Sequence, residues 1–596
     1  MNPVGRPAVA LARDMDAIKL EVIYNATNQI AYELTQKLMR NGYSSIVKES
    51  QDLALSICDR DGRNVGQYSP NPVGLGVVGS QLKGILQDFA DAIGEGDAFI
   101  LNHPYRYCQN HPSDVTLISP VFYHGELMAF VGNTAHKPDI GGKVPGTNAG
   151  DATEVFQEGL LIPPLKLYEG GVLNEAVKQL ICANTRIPEV TWGDIRAQVT
   201  ANLHGIDRLT ALADRFGLDD VLACWEERIA ITERELRSRI AAMPPGSYGP
   251  VTDYIDDDGV ELDRPLKVTA TVHVRGDELE FEFASAKQSR GPLNLRPCVV
   301  RAVAEYCVQA AIGPDLPKNQ GCSAPIRITL PAPGHLLNPE FPAPVNMYAT
   351  TCHRLAPVIM MALAQALPDR VAAPQSSSGG AVSFNGVDPG GGRRYSQYEI
   401  LWGGYGARPG KDGVSGCAAD ISNVMSTPVE ALENEFPVRM QCFEVNPDSA
   451  GAGQYRGGLG IRRAWQVLND DVTLNLRLDR FKFSSPGLFG ARPAAPARCT
   501  LNPYGGQPRT LHSKTANIHL SRGDTLLLEL GGGGGWGDPL ARDPERVLDD
   551  VRNGYVSPKT AREVYGVVVD PETMTVDTAA TEQERAARCR PALADS

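Results

Sequence analysis

Histidines cluster early in the chain, where their spacing could support metal chemistry. Four of the ten histidines lie between residues 103 and 136, at positions 103, 111, 124 and 136. The densest pattern is His111-Pro-Ser-Asp114, which sets an imidazole and a carboxylate three residues apart around a proline turn. His136 follows 22 residues after Asp114, across a predicted β-hairpin, so the three side chains could converge on one divalent cation. A mixed His/Asp set suits Zn²⁺, Mn²⁺ or Fe²⁺ better than Ca²⁺ or Mg²⁺.

Spacing alone leaves a second interpretation of these histidines open. Loop histidines commonly hydrogen-bond backbone carbonyls and bind no ion. His124 lies in the Phe-Tyr-His-Gly turn of the predicted hairpin, so we expect it to be replaceable without loss of function.

Motifs for nucleotide binding or for a nucleophilic serine are weak or missing in the sequence. A GxGxxG pattern occurs at residues 74–79, but it follows Tyr68-Ser-Pro-Asn-Pro rather than a β-strand, which disfavours a dinucleotide site. The GxxxxGK[ST] pattern is missing because Gly410-Lys411 is followed by Asp412, and GxSxG is missing as well. If ATP takes part in the reaction, we expect another chain to bind it.

The elements that must position these residues follow from hydrophobic periodicity. Residues 14–40 are predicted to form a long amphipathic helix that ends at a left-handed Gly42. A second helical block is predicted over 205–243, and strict alternation over 266–285 predicts a β-hairpin. Two further helices are predicted at 297–312 and 355–367, and the last third is rich in short strands and glycine turns.

These elements predict an α+β protein of several domains, with mixed sheets, long structured loops and a few long helices. We expect an N-terminal metal-binding α+β domain over 1–250 and a middle α/β domain, with the hairpin and helices, over 251–372. A glycine-rich, strand-dominated domain is expected over 373–596.

Composition favours a cytoplasmic globular enzyme. The chain has 596 residues, of which 42% are hydrophobic and 21% charged, and its net charge is −13. A diffuse acidic balance disfavours binding to nucleic acid or to an anionic membrane. No apolar run reaches the length of a membrane span, and the first residues do not resemble a secretion signal.

Twelve cysteines are scattered along the sequence and form no CxxC pair. This disfavours a zinc ribbon, an iron–sulfur site and a thioredoxin motif. In a reducing cytosol we interpret them as small buried apolar side chains.

Several segments, in one order, make the chain resemble the hydantoinase B/oxoprolinase family from about residue 14 to 565. Beyond the first helix, the segments that carry the resemblance are 45–52 (SIVKESQD), 102–114 (NHPYRYCQNHPSD), 135–142 (AHKPDIGG), 154–159 (EVFQEG), 163–171 (PPLKLYEGG), 406–413 (GARPGKDG), 427–433 (TPVEALE), 453–460 (GQYRGGLG) and 534–539 (GGWGDP).

The resemblance implies a metal site and a partner. In that family this subunit carries one divalent metal, and matching the motifs assigns Asp52, His111, Asp114 and His136 as ligands through which the catalytic chemistry is done. Asp52 comes from the resemblance alone. The family pairs this subunit with a larger, ATP-binding hydantoinase A-like subunit, so a hetero-oligomer such as (αβ)2 is implied, with ATP bound by the partner.

Departures from the family pattern surround the expected ligands. Cys108-Gln-Asn-His-Pro-Ser-Asp114 replaces a glycine-rich stretch, Lys137 stands where the family has a second histidine, and Gly416-Cys-Ala-Ala-Asp420 replaces a His-Thr-His stretch. Different residues around the expected metal ligands indicate a different substrate, so neither hydantoin nor 5-oxoproline is assumed to be the substrate of this protein.

Three functions are compatible with these observations. The leading one is the metal-binding subunit of an ATP-dependent hydrolase of cyclic amides of the lactam, hydantoin or oxoproline type. The second is a subunit of an ATP-dependent ketone carboxylase of the acetone or acetophenone type. The third is a non-catalytic scaffold for the ATPase partner, which should hold no stoichiometric metal.

Overall fold

The computed structural model describes residues 16–70, 72, 77–418, 420–505 and 507–588. Its helices are α1 (Ala17–Asn41), α2 (Ser45–Lys48), α3 (Val77–Phe89), α4 (Pro104–Tyr107), α5 (Glu175–Ala183), α6 (Pro188–Phe216), α7 (Leu218–Ala241), α8 (Pro297–Ile312), α9 (Tyr348–Ala366), α10 (Val429–Glu435), α11 (Pro544–Arg552), α12 (Pro558–Tyr565) and α13 (Thr578–Arg588).

The strands of the first half are β1 (Leu53–Asp59), β2 (Asn64–Tyr68), β3 (Ala98–Leu101), β4 (Asp114–Tyr123), β5 (Glu126–His136), β6 (Leu165–Glu169), β7 (Val172–Leu173), β8 (Gly246–Ile255), β9 (Leu266–Arg275), β10 (Glu278–Ser285) and β11 (Ile326–Thr329). Those of the second half are β12 (Gly380–Val387), β13 (Arg394–Leu401), β14 (Val438–Val445), β15 (Ile461–Val467), β16 (Val472–Arg477), β17 (Arg498–Leu501), β18 (Arg509–Thr510), β19 (Lys514–Leu520), β20 (Thr525–Glu529), β21 (Val569–Asp570) and β22 (Thr575–Val576).

The N-terminal sheet has the strand order β2-β1-β5-β4-β3-β6-β7, with the predicted hairpin β4–β5 at its centre. All of its neighbouring strands are antiparallel. Helices α1 and α6 pack against each other and against this sheet. Gly205 in α6 permits that approach, because a Cβ there would lie 2.8 Å from the side chain of Leu34 in α1.

A second layer contains the sheet β11-β10-β9-β8, and α8 and α9 contribute to its apolar core. Two sheets of the last third, β13-β12-β16-β19 and β14-β15-β20-β17-β18, enclose another core between them. Residues of α1, β1 and β5 also pack with residues of β12 and β13, so the N-terminal sheet abuts the last third directly. The mixed α+β, multi-sheet architecture is the predicted one.

Helix boundaries differ from the predictions in three places. The predicted 205–243 block is two helices, since α6 begins at Pro188 and Gly217, with φ +87°, separates it from α7. The helix predicted at 355–367 begins earlier, at Tyr348, and contains Pro357.

Gly42 is not left-handed, contrary to the prediction, because its φ is −59°. A Cβ at this position would lie 2.6 Å from Val47, so close packing rather than backbone conformation requires glycine here.

Two predictions fall partly outside the described residues. Residues 74 and 76 of the GxGxxG pattern are not described, whereas Gly79 lies inside α3. No helix among the described residues combines the length and apolarity needed to cross a membrane.

Candidate metal centre

The β4–β5 hairpin brings Asp114 and His136 together. Asp114 is the first residue of β4 and His136 the last of β5, and the antiparallel register makes them direct cross-strand partners. His124 and Gly125 form the turn at the far end, with φ values of 49° and 82°. The hairpin therefore separates His124 from the candidate site, as predicted.

His111 completes a triad from the loop that precedes β4. Its Nε2 lies 3.0 Å from Asp114 Oδ1, and His136 Nδ1 lies 3.1 Å from the same oxygen. One ligand atom from each of the three buried residues falls within 4.8 Å of the others. The three residues selected by spacing thus meet at one point.

Asp52 lies beside this triad, immediately before β1. Its backbone carbonyl accepts a hydrogen bond from the His136 N–H at 3.1 Å, which places its side chain near the histidine. Its Oδ2 is 3.9 Å from His136 Nδ1. Asp52 is therefore a neighbour of the triad, outside the set whose ligand atoms already cluster.

The tautomer of His111 is fixed by Asn346, the residue two before α9. His111 Nδ1 lies 2.6 Å from Asn346 Oδ1 and 3.0 Å from the Asn346 carbonyl oxygen. Both partners accept hydrogen bonds, so Nδ1 carries the proton. The Nε2 lone pair then faces an oxygen of the Asp114 carboxylate. These two acceptors repel each other unless a cation lies between them or Nε2 also carries a proton.

Asn346 is itself held by the buried carboxyl group of Glu158. The backbone N–H groups of Asn346 and Val345 donate to Glu158 at 2.7 and 3.0 Å. Burial raises the pKa of Glu158 to about 8, and the two N–H donors oppose that shift. A chain of contacts therefore runs from Glu158 through Asn346 to the imidazole of His111, as it does behind many metal-bound histidines.

His136 leaves one ring nitrogen without a partner. Its Nε2 is buried and has no hydrogen-bond partner among the described residues. Burial lowers the pKa of His136, which favours the neutral ring. A neutral imidazole has one donor and one acceptor nitrogen, and here Nε2 has neither a donor nor an acceptor to bond to unless a further group binds at the site.

The surroundings of Asp114 favour its ionised form. Burial opposes its ionisation, but the His111 and His136 rings outweigh burial and hold the pKa of Asp114 well below its usual range. Its other oxygen accepts a hydrogen bond from Asn110 Nδ2 at 3.3 Å. An ionised carboxylate between two imidazoles is a donor set that fits a divalent transition cation.

Aromatic side chains wall the candidate centre. The rings of Tyr348 and His111 are 4.9 Å apart, and those of Tyr398 and His136 are 5.0 Å apart. The adjoining pocket also contains the side chains of His353 and Arg477. Burial, followed by the positive charge of Arg477 and then that of Arg354, lowers the pKa of His353 to about 3, so His353 is neutral at pH 7.

Lys137, which replaces a histidine of the family pattern, places a buried amine next to the candidate centre. Its Nζ donates to the Ala135 carbonyl at 3.0 Å, and burial lowers its pKa to about 8. The backbone N–H of Lys137 donates to the Ser113 carbonyl at 2.8 Å, which fastens the end of β5 to the loop that carries His111.

Sequence reasoning missed Asn346, Tyr348, Tyr398 and Arg477. These residues reach the site from the loop before α9, from α9 itself, from β13 and from β16, and no local motif marks them. Glu158 lies in the Glu-Gly end of the 154–159 segment that carried the family resemblance, but nothing there indicated its contact with Asn346.

Comparison with known proteins identifies relatives of this chain along most of its length. The hydantoinase B/oxoprolinase family model matches residues 16–539. A protein of Pseudomonas sp. whose name assigns it to a D-/L-hydantoinase, as one of its subunits, is 31% identical over 575 residues, covering 94% of this chain and 96% of that protein.

Two solved structures share the architecture. The beta subunit of the caprolactamase of Pseudomonas jessenii is 32% identical over 593 residues, which cover 96% of this chain and 99% of that protein. The crystal structure of that ATP-dependent caprolactamase matches with a TM-score of 0.89 over 96% of this chain and 100% of the matched chain. Nucleotide-free acetone carboxylase has a TM-score of 0.91 at 22% identity, covering 98% of this chain and 84% of that chain, and shares the fold. The match of the family model over residues 16–539, together with the hydantoinase and caprolactamase subunits that cover 94% and 96% of this chain, makes it a member of the hydantoinase B/oxoprolinase family.

Proposed function

We propose that this chain is the metal-binding subunit of an ATP-dependent cyclic-amide hydrolase. The observation that carries the proposal is the convergence of three buried donors, in which the Nε2 lone pair of His111 and the Nδ1 of His136 face Asp114 Oδ1 at 3.0 and 3.1 Å. His111, Asp114 and His136 would hold the ion, with Asp52 as the fourth ligand. When bound, a divalent cation would supply Lewis-acid activation of water or of a carbonyl oxygen.

The need for ATP follows from the chemistry of an unstrained cyclic amide. Amide resonance makes the ring carbonyl a weak electrophile, and the equilibrium for ring opening is marginal. Phosphorylation of the carbonyl oxygen would relieve both problems. The relationship to a caprolactamase named as ATP-dependent supports this reaction class.

The residues around the pocket suit a partly apolar substrate with an oxygen-centred charge. Tyr348 and Tyr398 would exclude bulk water from the centre, and the guanidinium of Arg477 would pair with a developing negative charge. Arg477 Nη1 donates to the Asn346 carbonyl at 3.2 Å, so its position is tied to the residue that orients His111. Neutral His353 would present a hydrogen-bonding nitrogen to the same pocket.

The ATP-binding site is assigned to a second, larger subunit. The sequence contains no GxxxxGK[ST] motif. Two relatives that match almost along their whole length are named as single subunits of a hydantoinase and of a caprolactamase, which supports assembly with a partner.

The experiment is metal analysis and ATP-coupled turnover of the purified complex. We expect close to one divalent transition metal per copy of this chain, and loss of both metal and turnover in His111→Ala and His136→Ala. His124→Asn is the matched control, because His124 is exposed in the hairpin turn with a φ of 49° that asparagine tolerates.

Retention of metal and activity in the two alanine variants would refute the site. Active complex without stoichiometric metal would favour the scaffold role. Carboxylated product from a ketone and bicarbonate, in place of a ring-opened amide, would refute hydrolysis and favour the carboxylase alternative.

A further inference from the structure

Two cysteines that stand far apart in the sequence meet behind the loop that carries His111. Cys108 follows α4 with a left-handed φ of 57°, and Cys298 is the second residue of α8. The Cys298 thiol donates a hydrogen bond to the carbonyl oxygen of Cys108 at 3.8 Å, so the two cysteines are direct neighbours.

Arg296 fixes the geometry of this pair. Its guanidinium donates to the carbonyl oxygens of Pro104 and Tyr105 at 2.8 and 3.0 Å and lies 4.1 Å from the centre of the Tyr105 ring. The start of α8 is therefore clamped to α4, which holds Cys298 beside Cys108.

A cavity opens beside the pair. Cys298 lines this cavity of about 450 Å³ together with Lys83 and Arg301, and the residues Cys108 and Cys298 are both only partly buried. Several other cysteines of the described chain are fully buried, in agreement with the prediction that cysteines act as small apolar side chains. Five others are only partly buried, namely Cys108, Cys182, Cys298, Cys417 and Cys442.

The charges around Cys108 favour its thiolate. The neighbouring Cys298 thiol contributes most to lowering the pKa of Cys108 to about 7, burial opposes the shift, and the positive charges of Arg296 and Lys83 assist it. The same contact raises the pKa of the Cys298 thiol, which is left as the protonated member. Thiolates near basic residues are the cysteines that react with oxidants.

We propose that Cys108 and Cys298 form a reversible oxidation site for hydroperoxides. The Cys108 thiolate attacks the peroxide, giving a sulfenic acid and, after protonation, an alcohol or water as the leaving group. The Cys298 thiol then displaces water from that sulfenic acid and forms the disulfide. In sum, two thiols and one hydroperoxide yield one disulfide, one alcohol or water and one further water.

The disulfide would restrain the metal-binding loop. Gln109 and Asn110 lie between Cys108 and His111, and the Gln109 side chain donates to the Asp114 carbonyl at 2.8 Å. Tying Cys108 to α8 would shift the anchors of His111 and Asp114. We therefore expect the oxidised chain to bind the metal less tightly, a consequence that rests on the proposed function, whereas the oxidation site itself does not.

The test treats the reduced full-length chain with hydrogen peroxide and maps its cysteines by mass spectrometry. We expect a peptide linked through Cys108 and Cys298 that dithiothreitol releases. Cys298→Ser should instead accumulate a dimedone-reactive sulfenic acid at Cys108. Cys417→Ser is the matched control, because Cys417 is also half-buried and burial raises its pKa, and it should behave as wild type.

Two results would overturn the assignment: absence of the Cys108–Cys298 link while other cysteines oxidise, or oxidation of Cys108 no faster than that of Cys182, whose pKa burial raises. Zn²⁺ affinity of the oxidised chain, compared with that of the reduced chain, tests the coupling, with a loss of about tenfold expected. Equal affinities would overturn the coupling alone, while the reduced chain reports on the metal site independently.

Discussion

Substitution of Asn346 by leucine tests whether His111 is a metal ligand oriented from behind. Leucine has a similar size but removes the Oδ1 acceptor that lies 2.6 Å from His111 Nδ1. The Asn346 carbonyl oxygen, 3.0 Å from the same nitrogen, is unaffected because it belongs to the main chain. The correct tautomer should therefore persist, held by one acceptor in place of two.

The size of the effect follows from that remaining contact. Loss of an outer partner of a metal-bound histidine costs about 10- to 100-fold in affinity. Because the Asn346 carbonyl oxygen still holds the His111 ring, we expect the lower end of that range, a loss of metal affinity of about tenfold, which is ~1.4 kcal/mol of binding free energy. Asn346 Nδ2 also donates to the Thr147 carbonyl, and leaving that buried oxygen unpaired should lower the free energy of unfolding by about 1–3 kcal/mol.

Two comparison variants separate these losses. Asn346→Asp retains an acceptor for His111 but loses the donor to Thr147, so it should lose stability and keep the metal affinity of the wild type. Asn202→Leu removes a buried asparagine that bonds Asn133 and the Leu117 carbonyl, away from the triad, and should lower stability alone.

The assay is titration of the metal-free chain with Zn²⁺ against a chelating indicator, paired with urea unfolding. Wild-type affinity in Asn346→Leu, or an equal loss of affinity in Asn202→Leu, would refute the reasoning that Asn346 orients a ligand.

Three further predictions concern Glu158, Asp52 and the partner. Burial raises the pKa of Glu158 from 4.5 to about 8, so between these pH values the folded chain keeps a proton that the unfolded chain releases. The contribution of Glu158 to the free energy of unfolding is therefore fully present below pH 4.5 and is lost as the pH rises to 8. The decrease in Tm between pH 5 and 8 should be smaller in Glu158→Gln, and equal decreases would contradict the assignment. Asp52→Asn should weaken Zn²⁺ binding by about tenfold or more if Asp52 is the fourth ligand; unchanged affinity in the same titration would exclude it. The isolated chain should not hydrolyse ATP in a phosphate-release assay, and robust hydrolysis would contradict assignment of the ATP site to the partner.

How much of the site could be predicted depended on how locally each contact forms. The spacing of His111, Asp114 and His136 sufficed because one hairpin and one tight loop bring them together. Asp52 required the family resemblance, since it reaches the site only through the pairing of β1 with β5, in which Leu53 lies opposite Ala135. Asn346 was beyond sequence reasoning, because its contact with His111 joins residues 235 positions apart.

The fold was predictable where periodicity was clean and failed where buried groups are polar. The hairpin predicted over 266–285 forms β9 and β10 as expected. The first half of α6 was missed because it buries polar side chains against the N-terminal sheet, which breaks the apolar stripe. Gln198 in α6, for example, donates to the Val115 carbonyl and to Asn133 Oδ1, both at 2.8 Å.

The hydrogen-bond pattern of the triad supports the proposal that its histidines bind an ion. A structural cluster should pair its buried donors and acceptors, since each unmet buried group costs about 1–3 kcal/mol. Here His136 Nε2 has no partner among the described residues, and the His111 Nε2 lone pair faces an ionised Asp114. Asn346 keeps a proton on His111 Nδ1 by offering it two acceptors, so the contact between His111 Nε2 and Asp114 needs either a cation or a second proton on the ring. A cation between the three side chains would satisfy the facing groups of both histidines, whereas a second proton on His111 would leave His136 Nε2 without a partner among the described residues.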